Sequence, residues 1–73
     1  MKLENTCKCK VSLTRKNDNY PERECEFRAG REYQVDVYVY LDRSHYKVYQ
    51  NGGWNDFVFL EDSEFRENFE IIE

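Results

Sequence analysis

The chain has a single histidine, a single tryptophan and a single proline in 73 residues. With one imidazole, a Cys–His or Ser–His nucleophilic pair could draw only on His45, and no residue pattern orders a partner beside it. No enzyme is expected. No apolar run approaches the roughly 18 residues a membrane-spanning helix needs. The N-terminus is polar throughout, so no signal-peptide pattern is visible. Three cysteines are an odd count without a secretory pattern, which argues against a disulfide framework and for a reducing cytoplasm. Repeats, linkers and low-complexity tracts are also missing. A chain of this length buries only about 60% of the surface its unfolded form exposes, too little for both a large core and a deep active site. One domain, residues 1–73, is expected.

What remains is aromatic and charged. Aromatic residues make up 16% of the chain and charged residues 36%, which suits a small globular domain rather than a disordered segment. The net charge of −4 conceals an asymmetry. Residues 1–20 carry Lys2, Lys8, Lys10, Arg15 and Lys16 against Glu4 and Asp18. Residues 51–73 carry Asp56, Glu61, Asp62, Glu64, Glu67, Glu70 and Glu73 against Arg66. Such ends either attract each other across the surface or orient a partner by their field.

Alternation predicts the strands. CKCKVSL places Cys7, Cys9, Val11 and Leu13 on one face and Lys8, Lys10 and Ser12 on the other. TRKNDNYPE then reads as a loop. CEF is a short extended piece, and Ala29-Gly30 a turn with Gly30 at positive φ. In the long strand Glu32 to Leu41, Tyr33, Val35, Val37, Val39 and Leu41 share one face; Gln34, Asp36, Tyr38 and Tyr40 share the other. HYKVYQ pairs back as a hairpin, Asn51-Gly52-Gly53 predicts a type I′ turn, and WNDFVFL is the next strand. The last segment changes period: Asp62 or Ser63 caps a short helix, Phe65 and Phe69 share its inner face, and Ile71 and Ile72 close the sheet. About five strands and one short helix, joined by tight turns, suggest a small barrel.

The stretches FRAGREYQVDV, YKVYQNGG and FVFLEDSEFRENFEII resemble a pattern common in small phage proteins with an SH3-like barrel. In that pattern an apolar residue, a glycine and a tyrosine open a long strand, here Phe27, Gly30 and Tyr33. A hairpin, an aromatic strand, a helical turn with paired phenylalanines and an isoleucine pair follow. The likeness covers residues 27–72 and implies a mostly β, five-stranded SH3-like barrel with one short C-terminal helix. Size, basic first strand and cysteine-bearing head are similar in character to small phage-encoded regulators that bind host RNA polymerase, displace its specificity factor and suppress termination. The resemblance implies bacterial RNA polymerase as partner, in the cytoplasm of an infected bacterium; a monomer without a cofactor is expected. It transfers no functional residue.

The contact residues expected from pattern are Lys8, Lys10, Arg15 and Lys16, on one basic edge formed by the first strand and its loop, together with Tyr38 and Tyr40. Two other readings stand beside this one. Lysines 8, 10 and 16 and Arg15 with Tyr38, Tyr40, Tyr46 and Tyr49 suit a stand-alone module for single-stranded nucleic acid, against which the acidic net charge weighs. A virion assembly component is the third. Cys7, Cys9, Cys25 and His45 match the ligand types of zinc, but a Cys-x-Cys pair within a strand reads more simply as small buried thiols. The carboxylates Glu61, Asp62 and Glu64 lack the spacing and central glycine of a calcium loop. The tyrosines pose the main question: the helix covers Tyr38 and Tyr40, or a partner does.

Overall fold

The computed structural model describes residues 2–50 and 53–72, with the side chain of Lys2 excepted. In chain order the elements are β1 (Lys2–Cys9), β2 (Leu13–Lys16), β3 (Glu24–Phe27), β4 (Glu32–Tyr40), β5 (Arg43–Tyr49), β6 (Phe57–Glu61), α1 (Asp62–Asn68) and β7 (Phe69–Ile72). Five strands form one antiparallel sheet in the order β6-β5-β4-β1-β7, and β2 pairs with β3 in a separate ribbon. The expectation of a mostly β chain with one short C-terminal helix holds. The closed barrel is not confirmed: the ladders form two sheets, and neither closes on itself.

Register gives each face of the large sheet its composition. Val35 faces Val48, Val37 faces Tyr46, Cys7 faces Tyr33 and Ile71, and Cys9 faces Phe69. With Val58 and Leu60 from β6 these residues form the inner face, all buried except the partly buried Ile71. The ribbon covers one end of that face with Cys25 and Phe27, both fully buried. Phe27, Tyr33 and Phe69 meet edge to face with centroids 5.0–6.4 Å apart, the arrangement that ring quadrupoles favour. The helix covers the other end. Phe65 stacks on Tyr46 at 3.9 Å and on Phe69 at 5.4 Å, so the two phenylalanines do dock the segment, although Phe69 already belongs to β7.

Seven residues are too few for a helix to persist alone. Its ends are held by other elements. The Cys9–Val11 exit of β1 supplies donors to the last turn: Lys10 Nζ donates to the Arg66 carbonyl (2.6 Å), and the Lys10 and Val11 amides donate to the Asn68 carbonyl (2.6 and 3.3 Å). The N-cap is Glu61, with no side-chain cap, in place of the expected Asp62 or Ser63. Asp62 accepts instead from Tyr46 Oη (2.8 Å) and Arg66 Nε (2.9 Å), which hold its carboxyl below the usual range.

Several expectations need correction. The first strand begins at Lys2, not Cys7, and ends at Cys9; a bend follows, and Val11 is exposed rather than on the core face. Residues 13–16, read partly as loop, are strand β2. Trp54 and Asn55 precede β6 and are exposed. The type I′ turn falls on Asn51 and Gly52, which lie outside the described residues. Gly30 takes positive φ as expected (91°), and its amide donates to the Cys9 carbonyl (2.8 Å).

Candidate protein-binding surface

Helix and ribbon both pack on the inner face, and among the described residues no helix or strand lies over the outer face of the large sheet, although Asp36 and Tyr49 are buried there. Tyr38 is half-buried there and Tyr40 is 71% exposed. The helix therefore does not cover these tyrosines; it sits on Tyr46, which points the other way.

The outer face carries two kinds of group. At one side runs a chain of rings: Trp54 meets Tyr49 (4.9 Å), Tyr49 meets Phe57 (5.8 Å) and Phe57 meets Phe59 (5.4 Å), all edge to face. Tyr49 is buried, whereas Trp54 and Phe59 are 65% and 53% exposed. Lys47 lies across this chain, its Nζ 4.1 Å from the Phe57 centroid and 5.1 Å from that of Tyr49. The ring faces attract the ammonium and hold its stem flat. At the centre Asp36, only 2% exposed, accepts from Tyr49 Oη (2.7 Å). Burial first, then this bond to a carboxylate, pushes the Tyr49 hydroxyl well above its usual pKa. A shallow depression beside these groups is lined by Tyr38, His45, Phe59, Leu60 and Glu61.

The arrangement offers large aromatic area, one fixed cation and a fixed carboxylate network. Among the described residues no group of three or more His, Cys, Asp or Glu is placed to hold a metal ion. Cys7, Cys9 and Cys25 are buried free thiols; desolvation raises Cys7 to about 12 and Cys25 to about 11. Cys9 is also raised by burial, and its Sγ donates to the Val11 carbonyl (3.1 Å).

Of the six residues expected to make contact, the structure brings only Tyr38 and Tyr40 onto this face together with Lys8. Lys8 stands on β1 between Glu32 and Glu70 in register. Lys10 closes the helix C-terminus through Arg66. Arg15 pairs with Glu64 of the helix. Lys16 is exposed at the end of β2. β1 is an interior strand, paired with β4 over Lys2–Lys8 and with β7 over Thr6–Cys9, so at Lys8 it has no free edge to add to a partner's sheet. For nucleic-acid stacking, Tyr46 is removed from the set by its place in the core, and Tyr49 by its burial beside Asp36. Phe59, Trp54 and Lys47 were not singled out in the sequence. The alternation of β6 marks Phe59 as outward-facing once β5 is placed, but Trp54 and Lys47 are positioned by the fold.

No family model, curated protein or solved structure matches the chain. No helix among the described residues is long and apolar enough to cross a membrane.

Proposed function

We propose that this protein is a non-enzymatic binding module that presses the open face of its large sheet against another protein. The observation that carries the reading is that Tyr40, Trp54 and Phe59 stay exposed on one face while ribbon and helix close the other. Exposed aromatics with a polar rim are the composition of interface cores. The resemblance to small phage proteins gives this module a partner: bacterial RNA polymerase, in the cytoplasm of an infected host. The proposed mode is occlusion. A rigid sheet docks where a regulatory factor would sit, blocks or displaces it, and alters initiation or termination without chemistry. A two-stranded ribbon over one end of a five-stranded sheet is compatible with the SH3-like arrangement that the resemblance implies.

The test is a pull-down of tagged protein from bacterial lysate, with and without nuclease, for the native chain and Phe59→Glu. The expected result is that polymerase subunits are retained after nuclease and lost with Phe59→Glu. A different nuclease-resistant partner overturns the polymerase assignment. Loss of all partners on nuclease treatment replaces the module with a nucleic-acid binder.

A further inference from the structure

We propose that the partner of the aromatic face is a protein segment that sets a carboxylate on Lys47, with apolar side chains on either side of that acid. The inference rests on the reading of this chain as a protein-binding module and adds the chemistry of what it binds.

Lys47 stands in a row across the outer face: Glu4 is opposite Asp36, Asp36 opposite Lys47, and Lys47 opposite Phe59. Its neighbour across the strand pair is therefore an acid. Yet Asp36 is buried and accepts from Tyr49 Oη. Lys47 Nζ lies over the rings instead, 4.1, 5.1 and 5.8 Å from the centroids of Phe57, Tyr49 and Phe59. Arg15, Arg23, Arg28 and Arg66 each meet a carboxylate of this chain, whereas Lys47 meets none among the described residues. Every other described lysine and arginine is exposed; Lys47 alone is half-buried. Rings thus replace water on one side of the ammonium, and water serves the rest. A partner that covers Phe57 and Phe59 removes that water too. A cation shut in without a counter-charge opposes the contact strongly, so the partner must bring the counter-charge itself.

The rest of the face decides who carries that charge. Glu4 shares the row of Lys47, and Glu61 follows Phe59 on the same face of β6, opposite His45. The other described basic residues of the face, Lys8 and Arg43, each stand four residues along their strands from that row, about 13 Å away. A nucleic-acid strand brings a phosphate with every nucleotide, so for the one that meets Lys47 it sets others against Glu4 and Glu61. An anionic membrane does the same over a wider area. A single carboxylate on a largely apolar segment matches a single cation among rings. The exposed Phe59 and Trp54 then take the apolar side chains beside it.

The test uses a library of randomised peptides, each about twelve residues long, selected on the full-length native chain, on Lys47→Glu and on Phe59→Glu. The native chain should enrich peptides with Asp or Glu between aromatic or aliphatic residues. Lys47→Glu should enrich Lys or Arg at that place, and Phe59→Glu neither. A synthesised winner should bind Lys47→Met ~10- to 100-fold more weakly than the native chain, the loss for one charged contact. Methionine keeps an apolar stem on the rings, so a melting temperature close to native separates lost charge from lost folding. Winners that depend on Phe59 but carry no acid, or that bind Lys47→Met equally well, overturn the carboxylate and leave the aromatic face standing as a binding surface. No Phe59-dependent winner removes the face and this proposal together. Displacement of the winners by oligo-dT, with an affinity that falls steeply as salt rises, replaces the protein partner with nucleic acid.

Discussion

Three thiols set how this small core responds to alkali. An unfolded cysteine ionises near 9.0, whereas Cys7 keeps its proton to about 12 and Cys25 to about 11. Their contribution to stability is whole below pH 9 and declines as pH rises toward these values, because the unfolded chain releases protons the native state retains. For Cys7 the loss between pH 9 and 10.5 is about 2 kcal/mol. Urea unfolding at pH 8, 9 and 10.5 should show this fall, and Cys7→Ala should show a shallower one; parallel curves would assign the alkaline loss elsewhere. Tyr49→Phe is a second test at this scale. It leaves the Asp36 carboxylate without its 2.7 Å donor in a nearly closed site and should cost about 1–3 kcal/mol at neutral pH.

At the scale of elements, the sheet has two edges, and one is already partly occupied. The Asp18 amide donates to the Phe57 carbonyl (2.9 Å), and its carboxylate accepts from the Phe59 amide (2.7 Å). One loop residue thus occupies two of the hydrogen-bonding groups that β6 would offer a stranger strand. Asn17 holds that loop in place: its side chain donates to Asp56 (2.7 Å) and accepts from the Asn19 and Tyr20 amides. Asp18→Ala should lower stability by about 1 kcal/mol and raise the rate of concentration-dependent association, read by light scattering. Unchanged association would mean that the exposed aromatics, not the edge, govern it.

The same elements show what could be read from sequence. Strand β4 was legible because valines alternate with polar residues over its length, and the Phe65, Phe69 and isoleucine pattern was legible because the period changes there. The start of β1 was not. KLENT alternates nothing apolar beyond Leu3, and it is a strand because β4 supplies its partner as far as Lys2. β2 reads polar since only Leu13 of its four residues packs inward. The basic edge failed to appear as a unit for a related reason. Local spacing assigned Lys10 and Arg15 to a surface, but which carbonyl or carboxylate they meet is decided by α1, more than 45 residues away in sequence.

Across the whole molecule, the charge asymmetry is resolved inside the chain to a large extent. Basic head and acidic tail meet where β1 lies beside β7 and where Arg15 meets Glu64. Both partners of that pair are partly solvated, so the link is weak: Arg15→Glu should cost about 0.5–1 kcal/mol, and Glu64→Arg on that background should recover most of it. A double-mutant cycle measures this directly, and additive losses would show that the pair contributes nothing.

The place of β1 has a consequence for the order of synthesis. Its residues leave the ribosome before their neighbours, yet their partners are β4 and β7. The innermost segment of the sheet's far half therefore waits, unpaired on one side until residue 40 is made and on the other until residue 72. A strand that must wait is exposed to the wrong partner. The Glu4 and Lys8 side chains that β1 turns outward make it a poor template for a nascent copy of itself during that interval.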